Sequence, residues 1–126
     1  MEKRLEGTWQ IVEYTSDGVD SLKNFNDSCN CVMRILIPYD NENGKKIFFS
    51  DTNYYAKFGG KFTFSKNKKY INSNFENTSY KSLGPIGGGK NVWKILKLTK
   101  KELKISTSYY GRNYYISFNK ISDYFN

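Results

Sequence analysis

Leu5-Glu6-Gly7-Thr8-Trp9-Gln10-Ile11-Val12-Glu13-Tyr14-Thr15 is the stretch on which the reading of the fold turns. A glycine two residues before a tryptophan, at the entry of an alternating run, lets the backbone approach a neighbour closely. The large ring can then plug one end of a barrel. An ordinary core tryptophan after a turn glycine has the same local sequence, so the remaining residues have to decide between the two. They read as a succession of short strands.

The run from Thr8 to Thr15 is rich in Ile, Val and Tyr and stops at the turn residues Ser16-Asp17-Gly18. Val19 to Asn30 is polar, with Leu22 and Phe25 three apart, which predicts a connection holding one short lid helix and no other helix in the chain. Cys31 to Ile37 alternates around Met33, Ile35 and Ile37 until Pro38 ends it, and Lys45 to Ser50 supplies the next strand. Gly59 and Gly60 are expected to break the chain before a hairpin made by Phe62 and Phe64, the Lys66-Asn67-Lys68 corner, and Tyr70 to Phe75. Val92 to Leu98, Leu103 to Tyr109 and Tyr114 to Ile121 complete the series. Eight or nine strands at intervals of about 8 to 12 residues indicate an all-β antiparallel barrel or sandwich, without crossover helices.

Composition agrees. At 126 residues the chain has the length of one domain, and its aromatic fraction of 17% suits pleated, half-buried surfaces. The formal charge of +8 favours anionic partners, but only Arg4, Arg34 and Arg112 among the twenty cations are arginines. Phosphate and base recognition prefers the planar guanidinium fork, so the charge reads mainly as a solubility device. No apolar run approaches the length of a membrane span. The strand pattern begins so close to Met1 that a leader removed upstream, and with it a secreted or lipoprotein setting, stays open.

The order of these features resembles the lipocalin-like domains of small bacterial proteins, within the calycin superfamily. The resemblance is carried by Leu5 to Trp9 as the opening, Cys31 before a strand, Phe62-Thr63-Phe64 with Lys66 to Tyr70 as the central hairpin, Trp93 and Ile95 with Leu98 and Leu103 as the penultimate one, and Tyr115 to Lys120 as the closing strand. It implies an up-and-down antiparallel barrel of about eight strands with a cavity. A Thr-Asp-Tyr signature, which marks the secreted lipocalins of animals, is lacking, so their receptor role is not carried over.

A barrel of this size either fills its interior with side chains or holds one small ligand. By alternation the inward residues include Trp9, Met33, Ile35, Ile37, Phe62, Phe64, Trp93, Ile95, Leu103, Ile105, Tyr114, Ile116 and Phe118. Trp9, Ile35, Phe64, Trp93 and Phe118 are the candidate contacts of a small apolar ligand. Catalysis is not expected: without histidine no Ser-His-Asp triad or Cys-His pair exists. Glu13 is the one carboxylate inside a strong strand pattern; inward it could anchor a ligand, but burial statistics place it outward. Cys29 and Cys31 are too few for a metal site and, one residue apart on a strand, are expected to be two free thiols. No cofactor is implied.

Two other binding modes are open. Gly84-Pro85-Ile86-Gly87-Gly88-Gly89 lacks the Lys-Ser or Lys-Thr of a phosphate loop and reads first as a connector. As an extended segment, with Gly87, Gly88 and Gly89 at its tip, it could instead enter a protease cleft. Small bacterial inhibitors with lipocalin-like barrels, such as the staphostatins, are similar in size and also use a glycine-containing segment. Tyr54-Tyr55, Lys57-Phe58, Lys61-Phe62 and Lys68-Lys69-Tyr70 interleave cations with rings, as single-stranded nucleic-acid grooves do, although the scarcity of arginine argues against that partner.

Overall fold

The computed structural model of the protein describes residues 2–28, 31–36, 45–50, 56–75, 85 and 89–123. A single helical turn, α1 (Glu2–Leu5), precedes β1 (Gly7–Ser16) and β2 (Val19–Asp20); α2 (Leu22–Ser28) follows, then β3 (Val32–Leu36) and β4 (Lys45–Ser50). The series continues with β5 (Ala56–Phe64), β6 (Tyr70–Phe75), β7 (Gly89–Leu98), β8 (Glu102–Tyr109) and β9 (Arg112–Ser122). The expected lid helix is α2. The expectation of no second helix is corrected by α1, four residues too short to carry any periodic signal.

All nine strands form one antiparallel sheet in which β3 to β9 pair in chain order. β1 pairs with β9 from Thr8 to Ser16 on one side and with β3 on the other, through Gly7↔Ile35, Thr8↔Arg34 and Trp9↔Met33. The ring of pairings therefore runs all the way round, as in a lipocalin-like barrel, but the β1–β3 seam is short. Beyond Trp9 the first strand leaves β3 behind, and α2 packs beside it: the Ser21 amide donates to the Tyr14 carbonyl at 2.7 Å, and Phe25, 1% exposed, enters the core. The Asp20 carboxylate caps α2 by accepting from the Leu22 amide at 2.9 Å.

Gly7 sits where both seams of β1 meet. Its φ of +138° lies outside the range most residues tolerate, and a Cβ there would drive into the Ser122 carbonyl oxygen. The close approach expected of this glycine is thus real. Asp17-Gly18 and Tyr110-Gly111 turn at φ of 50° and 82°, and of 49° and 78°, the left-handed pairs that two-residue hairpins require.

Two of the four register shifts among the described strands bear on the inward and outward phases. Between Ile11 and Glu13 the pairing with β9 slips by one residue, so Glu13 stays exposed and Tyr14 turns into the core. A second slip between Ile95 and Lys97 leaves Leu96 exposed. Gly59 and Gly60 do not break the chain: they lie inside β5, opposite Phe48 and Ile47, and Gly60 also pairs with Phe75. A glycine without a Cβ is tolerated between bulkier cross-strand neighbours when pairing on both sides holds the backbone extended.

The expectation of free thiols is also corrected. Cys31 is disulfide-bonded, and the sequence holds one other cysteine, Cys29. The geometric objection to pairing assumed an extended strand, whereas Cys31 precedes β3 and takes no part in its ladder.

Candidate functional site

One end of the barrel is sealed. The Trp9 ring is fully buried, its indole Nε1 donates to the Leu5 carbonyl of α1 at 2.8 Å, and the Lys120 ammonium lies 5.0 Å from the ring centroid. Lys120 also donates to the Arg4 carbonyl at 2.8 Å, so one side chain ties β9, α1 and the ring together. A cation over an indole face, largely withdrawn from water, gains from the ring quadrupole, and on its solvent side Lys120 meets the exposed Asp123 carboxylate at 3.5 Å.

Above this floor the sequence-derived candidates share one core. Trp9, Ile35, Trp93 and Phe118 are each no more than 4% exposed, and the half-buried Phe64 packs against the same cluster. Phe62 and Phe64 meet edge to face at 5.7 Å. Trp93 donates from Nε1 to the Ser73 hydroxyl at 2.9 Å, which satisfies the one polar atom of a ring otherwise held among hydrocarbon. Ile37 lies outside the described residues. Among the described residues no carboxylate is buried and no group of three metal-ligating side chains occurs; the buried polar side chains are those of Thr8, Arg34, Ser73, Asn91 and Ser117, beside apolar surface.

The opposite end is built differently. Phe25 of α2 lies 5.9 Å from Tyr14, Tyr14 lies 6.0 Å from Tyr114, Tyr114 lies 6.1 Å from Tyr109, and Tyr109 lies 4.6 Å from Tyr110. This series of rings passes from the core to water: Tyr14 is 3% exposed and Tyr110 is 88% exposed. Burial, with Tyr114 and Tyr109 nearby, pushes the Tyr14 phenol well above its ordinary pKa of 10.0, because the phenolate would lose its hydration. Burial, followed by Tyr110 and Tyr114, raises Tyr109 too. Tyr110 holds its ring in solvent from a left-handed backbone position, φ 49°, a conformation that bulky residues rarely occupy. Asp17 fastens the two turns at this end: its amide donates to the Asn113 carbonyl at 2.7 Å, and its carboxylate accepts from the Asn113 amide at 2.8 Å.

Of this series the alternation found only Tyr114. Tyr14 was hidden by the bulge, Phe25 by its place in a helix, and Tyr109 and Tyr110 by their position at a hairpin tip. Tyr110-Gly111, bounded by two alternating runs, was the legible signal for that tip.

Other expected sites are only partly described. Gly87 and Gly88 lie outside the described residues; Gly89 is the exposed first residue of β7, paired with Phe75, and a Cβ there would meet open space. The buried Pro85 is tied to β7 by the Asn91 amide, which donates to its carbonyl at 3.0 Å. The proposed alternation of cations and rings is broken at Phe62, which is buried in the core, whereas Tyr70 faces solvent. Tyr54 and Tyr55 lie outside the described residues.

A barrel whose opening strand contributes a glycine and a floor-sealing tryptophan, and whose strands pair in chain order, defines a lipocalin-like protein. The lipocalin-like domain family matches residues 5–105, and the chain belongs to it. Among solved structures, bovine odorant binding protein in complex with a selenium-containing odorant is similar at a TM-score of 0.56 and 19% identity, covering 94% of this chain and 71% of that one. No curated protein sequence matches the chain. Among the described residues, no helix is long and apolar enough to cross a membrane.

Proposed function

We propose that this chain is a single-domain, non-enzymatic binding module. It holds a small apolar ligand inside the barrel, against Ile35, Phe64, Trp93 and Phe118 above the Trp9 floor, and admits it at the α2 end. The observation that carries this reading is the ring series from Phe25 to Tyr110. A bulky ring kept in water from a strained backbone position is unfavourable for folding, so it points to a role at the entrance. α2 has no ladder of its own to hold it and is the element most readily displaced. The likeness to an odorant-bound protein supports the same class of ligand.

The test is a titration with lauric acid or N-phenyl-1-naphthylamine, read by tryptophan emission from Trp9 and Trp93. Tyr110→Asn is expected to weaken binding severalfold while leaving the melting temperature unchanged or higher, because asparagine suits a left-handed turn position. Probes that leave the emission of the unaltered protein untouched at millimolar concentration would overturn the reading.

A further inference from the structure

Among the described residues, the charge that looked like a general solubility device is segregated. Described residues 45–50, 56–75 and 89–98, which make up β4 to β7, carry ten lysines and no carboxylate, whereas every described carboxylate lies within residues 2–28 or 99–123. Within this basic half, the outer surface of β5, β6 and β7 holds a trough of about 410 Å³. Its lining alternates with the core: Lys61, Thr63, Asn72, Asn74, Lys90 and Val92 are exposed, while the intervening Phe62, Ser73 and Asn91 are buried. The register explains the shape. Lys61, Asn74 and Lys90 stand opposite one another in one row, and Thr63, Asn72 and Val92 in the next. The short amide of Asn74 on the middle strand thus lies between two long cationic side chains, with Asn72 in the neighbouring row.

We propose that this trough is a second binding site, separate from the barrel interior, for a short segment of an anionic oligosaccharide. Lys61 and Lys90 would take carboxylate, sulfate or phosphate groups, and Asn72, Asn74 and Thr63 the hydroxyls between them. Neither lysine is ion-paired among the described residues, and they share one row across β6, so the row holds like charges that an anion would relieve. Acidic peptides are less well served. β5, β6 and β7 are each paired on both sides, so no sheet edge is free to hydrogen-bond an added strand. Single-stranded nucleic acid wants exposed stacking rings and guanidinium forks; the lining has no arginine, and its one ring, Phe62, is buried. Small groups that both donate and accept, flanked by monovalent cations, match a hydroxyl-rich polyanion.

The experiment is calorimetric titration of the whole chain with a heparin hexasaccharide, beside a neutral dextran of equal length, an oligothymidylate and anionic phosphatidylserine vesicles. Binding of the hexasaccharide but not of dextran is expected. Lys61→Gln with Lys90→Gln should weaken it about tenfold or more, against less than about threefold for Lys100→Gln with Lys101→Gln, which removes the same charge from the β7–β8 turn. Asn74→Val, which leaves net charge unchanged, should weaken hexasaccharide binding about threefold to fivefold. Equal losses in the two lysine pairs would reduce the effect to net charge and overturn the site. So would absence of hexasaccharide binding, or tighter binding of oligothymidylate or vesicles with the same dependence on Lys61 and Lys90. Melting curves of each variant separate these outcomes from unfolding, and the apolar-probe titration should be unmoved by all of them.

Discussion

The two sides of β1 close the barrel by different means. Against β9 the strand forms a ladder from Thr8 to Ser16, interrupted by two register shifts; against β3 it forms three pairs and then hands over to α2. A ladder holds through many backbone hydrogen bonds, each of modest net worth, and opens only with the whole sheet. The other seam rests on those three pairs and on one buried ring, Phe25, so it is the less extensively hydrogen-bonded of the two. The entrance proposed for the ligand lies where β1 has left β3 and α2 packs against it, and the Trp9 floor lies nearer the start of β1.

Substitution where the seams meet should have the largest effect. Gly7→Val is expected to lower stability by about 3 kcal/mol or more, through a forbidden backbone position and collision with the Ser122 carbonyl, measured by urea unfolding. A loss below about 1 kcal/mol would show that the seams are not jointly anchored there.

Phe25→Ala should cost about 2–4 kcal/mol as a buried ring is deleted. Its sharper signature is local: hydrogen exchange should accelerate at the Ser21 and Phe25 amides while the β8–β9 ladder keeps its protection. Uniform acceleration would remove the distinction between the seams.

Tyr14 probes the same region through pH. Its folded pKa is raised by burial, so the native state resists losing this proton more than the unfolded chain does. The associated stability is fully present below about pH 10 and is lost as pH rises toward the higher folded value. Tyr14→Phe should therefore flatten the fall in melting temperature above pH 10 relative to the unaltered protein. An unchanged alkaline slope would mean that the phenol is not held out of water.

The smallest effect is expected on the floor side of the strong ladder. Lys97 bonds to Glu102 at 2.9 Å and holds its carboxyl below the usual value, but both side chains are well exposed. The contribution is present above the unfolded carboxylate pKa and disappears as pH falls through the lowered folded value. Glu102→Gln should shift the melting temperature by no more than the reproducibility of a thermal scan at physiological salt.

Much of this was legible in residue order. Period-two alternation located the long strands, and among the described members of its inward list each is buried or half-buried. Gly7 and Trp9 announced the floor, Asp17-Gly18 the first hairpin, and the polar stretch after it the lid helix. These are local properties: side-chain alternation, left-handed turns and helix capping depend on neighbours a few residues away.

What tertiary structure alone decided has a long-range cause. A bulge inserts one residue that only the opposite strand reveals, so Tyr14 turned into the core while Glu13 kept the outward place expected of it. Gly59 and Gly60 remained in a strand because β4 pairs with both and β6 with Gly60. The ring series joins residues 14, 25, 109, 110 and 114 across the barrel seam, and the lysines of β5 and β7 share a row only because β6 lies between them. Alternation in the sequence thus determined which way most side chains point; cross-strand register, set by partners far along the chain, determined which of them meet.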